Sequence, residues 1–269
     1  MLETQKLDSL YQATFTRKSV RKYDAAPLSQ EIQAEVLRIA NSAVALDDTL
    51  AVAFRIVTPD QIKGMVSAKS PHYLAVYAAH GLESLTNAAF KLQQMDLWFS
   101  ANGYGSCWLG MPNATQQVSA CDGMPFFIML AFGAPAEQAK RSSTSEFKRK
   151  ALAEINTVVG LDDLLEPLRL APSASNRQPW KVSGTADSLR LNIKKDGIIS
   201  KAMFGSMRYC DAGIGLCHLW LSATHAGRFA GFGRESFAPD APQSSAPELD
   251  APQPDTPQGY EYFYTVTLG

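Results

Sequence analysis

Leu170-Ala-Pro-Ser-Ala-Ser-Asn-Arg-Gln-Pro-Trp-Lys-Val182 is the stretch on which the reading of this chain turns. An apolar-periodic segment, Leu161 to Leu170, runs into it, so it begins where a helix stops. Pro172 has no backbone N–H to donate and breaks the helix. Ser173, Ser175, Asn176 and Gln178 follow, short polar groups that both donate and accept. Pro179 favours extended backbone before it, and Trp180 and Val182 open a strand. Two prolines thus pin a polar loop that can hold several hydrogen-bonding groups against a polar, planar ligand. The plain alternative is a helix-to-strand loop whose serines cap backbone groups.

Residues 5–16 read as a weakly amphipathic helix with Leu7, Leu10, Tyr11 and Phe15 on one side. Arg17-Lys-Ser-Val-Arg-Lys-Tyr23 comes next, four cations around a serine. Guanidinium groups bind phosphate oxygens bidentately and a serine adds a neutral donor, so the run suits a phosphate clamp. A solvated basic turn is the alternative. Ser29 caps a helix to about Ala43, residues 51–57 and 72–79 read as strands, and a long helix spans about 82–102. Its apolar positions include Leu85, Ala88, Ala89, Leu92, Met95 and Phe99, and it is the expected centre of the fold. Gly103-Tyr-Gly-Ser-Cys-Trp-Leu-Gly110 closes it, with Gly103 or Gly105 suited to a positive φ at the helix end. Phe126 to Phe132 is a strand, and a basic stretch with Lys140, Arg141, Lys148, Arg149 and Lys150 follows.

The totals exclude several classes. The chain has 269 residues, 46% of them hydrophobic, enough for a sizeable core. A formal net charge of −1 gives no electrostatic reason to expect nucleic acid or an anionic membrane. No apolar run reaches membrane-span length, and the N-terminal residues are too polar for a signal peptide. Cys107, Cys121, Cys210 and Cys217 lack metal-ligand spacing and read as reduced residues of a cytoplasmic protein. His72, His80, His218 and His225 are scattered and read as structural.

The chain also repeats itself. Leu37-Arg-Ile-Ala-Asn-Ser-Ala43 matches Leu168-Arg-Leu-Ala-Pro-Ser-Ala174. Leu97-Trp-Phe-Ser-Ala101 matches Leu219-Trp-Leu-Ser-Ala223, and Phe126–Gly133 matches Tyr262–Gly269, in the same order. The expected fold is therefore α+β, built from two copies of one unit over residues 1–152 and 153–269 and packed as one body. A single unrepeated domain is the alternative. A proline-rich stretch at about 239–258 reads as an extended surface loop before a last strand at 260–268.

Pro-Ser-x-x-Asn-x-Gln-Pro-Trp at 172–180 resembles the flavin-contacting loop of the nitroreductase family of FMN-dependent oxidoreductases. Arg17-x-Ser19-x-Arg21 and Gly-x-Gly-x-Cys-Trp-x-Gly at 103–110 resemble two further motifs of that family. The resemblance implies an FMN site formed by Arg17, Lys18, Ser19, Arg21, Leu109, Gly110, Lys148, Arg149, Pro172, Ser173, Ala174, Asn176 and Gln178. It assigns no catalytic side chain, since the flavin performs the redox step. Family members are two-fold homodimers with sites built across the interface. This chain resembles such a dimer fused into one polypeptide, a monomer keeping one complete site. The implied activity passes hydride from NADH or NADPH through FMN to a nitroaromatic, quinone or similar planar acceptor. A flavin-storing protein without turnover and a non-flavin interaction protein are the alternatives.

Overall fold

The computed structural model describes residues 2–195, 205, 207–234 and 256–269. Helix α1 (Leu2–Thr14) leads into an extended basic segment. Helix α2 (Gln30–Asn41) starts as expected at Ser29, whose hydroxyl accepts the Ile32 N–H at 3.4 Å. Strands β1 (Val52–Val57), β2 (Ile62–Lys63) and β3 (His72–Ala78) precede the long helix α3 (Leu82–Ala101). Strands β4 (Gly105–Leu109), β5 (Asn113–Ala114), β6 (Ala120–Cys121) and β7 (Met124–Gly133) complete the first half. The second half holds α4 (Leu152–Ile155), α5 (Asp162–Leu170), β8 (Trp180–Thr185), β9 (Ser188–Lys194), α6 (Met207–His225), β10 (Phe229–Gly233) and β11 (Tyr260–Leu268). Most of the proline-rich stretch lies outside the described residues.

Mixed helix and sheet is thus the class. One antiparallel sheet has the order β1-β3-β7-β4, with β6 beside β7. The other has the order β8-β9-β11-β10. Read in chain sequence the two orders are the same, with α3 following β3 and α6 following β9.

The two long helices pack on each other more extensively than any other helix pair. Gly213 sets their distance: a Cβ there would stand 2.4 Å from Thr86 O and 2.7 Å from Phe90 N. Only a residue without a side chain lets the backbones meet so closely. Both helices are buried nearly all round, polar residues included, so every buried amide must find a partner. Helix α1 contributes Leu10 and Ala13 to the core of the C-terminal sheet, so the cores do not divide at residue 152. At the end of α3, Gly103 takes the positive φ, +80°. Gly105 does not; its missing side chain makes room for Val20, whose Cγ1 would lie 2.7 Å from a Cβ there.

Candidate functional site

A cleft of about 620 Å³ opens where the two halves meet. One wall comes from the first half. The basic segment runs beside β4, with Ser19 paired to Ser106 and the Val20 N–H donating to Ser106 O at 2.9 Å. The Arg21 N–H donates to Glu137 Oε1 at 2.7 Å, and the Tyr23 hydroxyl donates to Val20 O at 2.7 Å. These bonds hold Arg17, Lys18, Ser19 and Arg21 at the rim and floor. Cys107, Trp108 and Gly110 add the end of β4, and Arg141, Lys148 and Arg149 add the basic stretch. The facing wall comes from the second half: Pro172 to Asn176, and Met207, Cys210, Asp211 and Ile214 of α6.

The cations are crowded. Arg17 is 1% exposed, and its Nε pairs with buried Asp96 Oδ2 at 2.8 Å. Arg141 donates to Arg17 O and lies 4.1 Å from the Phe147 ring centroid. Burial first, then the Arg17 cation, holds the Arg141 guanidinium below its ordinary pKa, with Glu146 opposing. Arg149 is lowered to about 10 by burial, then by Arg17, Arg141 and Arg169. Three guanidinium groups thus crowd one end of the cleft, and two of them, Arg141 and Arg149, are lowered for it. A phosphate dianion there would relieve both the burial and the repulsion.

The loop from α5 to β8 is strained. Ser175, Asn176 and Gln178 have φ of +51°, +56° and +49°, and none is glycine. Left-handed non-glycine residues cost on the order of 1 kcal/mol each and persist where surrounding contacts over-determine them. Here the contacts are plain. The Gln178 N–H donates to Ser173 Oγ at 2.8 Å, and the Ala174 N–H donates to Asp211 Oδ1 at 2.8 Å. Arg149 Nη1 donates to Asn176 Oδ1 at 2.6 Å, and Asn176 Nδ2 donates to Lys148 O at 2.9 Å. The loop and the basic stretch therefore hold each other.

Of the residues expected from the sequence, Arg17, Lys18, Ser19, Arg21, Gly110, Lys148, Arg149, Pro172, Ser173, Ala174 and Asn176 all line this cleft. Leu109 and Gln178 do not. The Leu109 side chain is in the core and its backbone pairs with Met129 of β7. Gln178 is buried and accepts the Lys150 N–H on Oε1 at 2.7 Å, bracing the loop from behind. Lys18 turns outward to Gln138 O at 3.0 Å. Among the five trailing cations, Lys150 donates to Gln178 O at 2.9 Å, away from the cleft. Arg141 lines it and was not singled out, because a cation in an irregular polar stretch carries no periodic mark. Trp108, Met207, Cys210, Asp211 and Ile214 were also missed as cleft residues. Among the described residues no cluster of His, Cys, Asp or Glu is placed to hold a metal, and no helix is long and apolar enough to cross a membrane.

The family described as "Putative TM nitroreductase" matches residues 9–223 of this chain. The chain belongs to that family, and its class is that of an oxidoreductase. A putative nitroreductase from Thermotoga maritima, a solved structure, covers 96% of this chain and 93% of its own at 19% identity and a TM-score of 0.61, which shows the fold. A putative nitroreductase from Desulfovibrio desulfuricans, solved in complex with FMN, covers 55% of this chain and 93% of its own at 20% identity and a TM-score of 0.41. No curated relative matches the chain.

Proposed function

We propose that the cleft binds one FMN per chain and that the protein passes hydride from NADH or NADPH to a nitroaromatic, quinone or similar planar acceptor. The observation that carries this reading is the gathering of Arg141 and Arg149 beside Arg17, itself paired with Asp96, against the strained Pro172–Asn176 loop of the other half. The donor set suits a phosphate ester: guanidinium groups, the Ser19 hydroxyl and the Ser173 hydroxyl. FMN would supply the hydride-accepting and hydride-donating centre. The chain's own residues would bind the phosphate, orient the ring by the loop, and keep water from one face with Trp108, Met207 and Ile214.

The two halves, with their matching strand orders, stand in for the two subunits of the family dimer, so we expect a cytoplasmic monomer acting on small molecules. The four free cysteines suit a reducing compartment. The test is reconstitution with excess FMN, desalting and flavin quantitation, followed by NAD(P)H oxidation with menadione or nitrofurazone added. One flavin per chain with acceptor-dependent turnover is expected. Flavin retained without turnover would favour storage, and colourless protein would defeat the reading.

A further inference from the structure

Beneath the basic end of the cleft runs a chain of buried hydrogen bonds, with one ion pair at Arg17, that joins both halves. It starts at Pro167 O of α5, which can only accept, so His218 Nδ1 must donate across their 2.7 Å contact. His218 Nε2 is then an acceptor, and Gln93 Nε2 donates to it at 3.2 Å. Burial lowers the His218 pKa to about 3, in keeping with a neutral ring. The same Gln93 nitrogen donates to Asp96 Oδ2 at 3.2 Å, while Gln93 Oε1 accepts the indole N–H of Trp108 at 3.0 Å. The amide has one workable orientation. Turned over, it would set N–H against the indole N–H and oxygen against two acceptors.

From Asp96 the chain continues to the cleft. Asp96 Oδ1 accepts the Ser106 hydroxyl at 2.6 Å, and Oδ2 pairs with Arg17 Nε. Arg17 Nη2 then donates to Ser19 Oγ at 3.0 Å. Ser19 thus accepts from the protein, and its own hydroxyl proton is left to donate to an anion in the cleft. Gln93, Asp96 and His218 are fully buried and touch no part of the cleft surface.

We infer that Gln93 is a positioning residue for the cleft, fixing the Trp108 wall through its oxygen and the Arg17–Ser19 phosphate donors through Asp96. This rests on the reading of the cleft as an FMN site. Gln93 lies at the branch point: its oxygen serves the wall against which a planar ring would lie, and its nitrogen serves the end that meets the phosphate. His218 locks it, because the Nδ1–H tautomer set by Pro167 O leaves only an acceptor for Gln93. A network that merely filled the core would not end on two different faces of one cleft.

The test is Gln93→Met, close in volume and without either polar group. Flavin-free wild type and variant are titrated with FMN and with riboflavin, which lacks the phosphate, by fluorescence quenching. FMN is expected to weaken about tenfold and riboflavin by less than about threefold, the loss of one charge-linked hydrogen bond at the phosphate end. A core-filling role predicts equal factors for both flavins, and that result, or no change in either, overturns the inference. A second measurement needs no variant. Nitrogen-15 NMR of histidine-labelled wild type should show one histidine held as the neutral Nδ1–H tautomer from pH 5 to 8, its signal absent in His218→Gln. The opposite tautomer would overturn the chain as drawn. Wild type that keeps neither flavin would remove the FMN reading and this inference with it. Wild type that keeps FMN, beside a variant of unchanged FMN preference, removes this inference alone.

Discussion

The connections after α5 and after α2 each run from a helix to the first strand of a sheet, and they are used in opposite ways. After α5, the loop is strained and its side chains face a cleft of arginines. After α2, the chain from Val44 to Leu50 is sewn onto α3. Gln94 accepts the Val44 N–H at 3.0 Å and donates to Val44 O at 2.8 Å. Asn87 accepts the Leu46 N–H at 2.8 Å and donates to Asp47 O and Leu50 O at 3.2 and 3.1 Å. The strand next to that region is also filled. Phe232 of β10 sits edge-on to Phe90 at 5.4 Å and tilted on Phe229 at 4.9 Å, where β4 presents Trp108 to the open cleft. Backbone groups consumed by amides and space consumed by phenylalanines leave nothing for a ligand. The difference lies in a few side chains on a shared strand order.

Disarming the open side has the largest expected effect. Arg149→Met removes the cation and its bond to Asn176 while keeping an apolar stem. We expect FMN to bind about 100-fold more weakly, roughly what a lost charge-assisted contact to phosphate is worth. Riboflavin should bind nearly as before; an FMN affinity within threefold of wild type would show that the phosphate lies elsewhere.

The closed side is disarmed by Asn87→Ala. It leaves the part-buried Leu46 N–H and the Leu50 carbonyl without these partners, while Asp47 O keeps the Leu50 N–H at 3.2 Å, at a cost of about 1–3 kcal/mol in urea unfolding. Flavin affinity should not move. A variant that unfolds like wild type would mean that the Val44–Leu50 chain is held by packing alone, and a new second flavin site would overturn the account of why that side is closed.

Much of this is legible in the sequence alone. The Ser29 cap, the long central helix and the Pro-Ser-x-x-Asn loop all carry local marks, because a cap, a period and a proline act on their own neighbours. The cleft's other side is not. Met207, Cys210, Asp211 and Ile214 lie on a helix buried nearly all round, so no periodicity shows which face meets a ligand. Arg141 stands in an irregular stretch, placed by its bond to Arg17 O and by Phe147 rather than by a pattern. Gln93 and Asp96 did leave a signal: two polar residues one turn apart within a buried helix, which must find partners. At Leu109 and Gly110 only the glycine lines the cleft, since a motif names a stretch but not which residue of it faces outward.

A smaller effect separates strain from function. Ser175→Gly removes the left-handed penalty at φ +51°, and the folded state should gain about 0.5–1 kcal/mol less the entropy glycine adds to the unfolded chain. The melting temperature should rise by a degree or two or hold level. FMN should bind slightly more weakly because the loop is less pre-organised. A clear fall in melting temperature would show that the Ser175 side chain contributes more than its conformation costs.

The subtlest prediction concerns pH. Arg149 titrates near 10 in the folded chain, below its ordinary value, because its charged form is buried among cations. A depressed base destabilises the folded state while it is protonated in both states. That penalty is present below about pH 10 and is relieved as pH rises through the folded value toward the unfolded one. A bound phosphate reverses the sign for binding, since the dianion needs the proton on Arg149. The ratio of FMN to riboflavin affinity should therefore be level at neutral pH and fall as pH rises past about 10. It should also fall below about pH 6, where a phosphate monoester takes up its second proton. Taking the ratio cancels the titration of the flavin ring, which both ligands share. An alkaline limb that persists in Arg149→Met would assign it to another group, and a ratio level across the whole range would place the phosphate away from the arginines altogether.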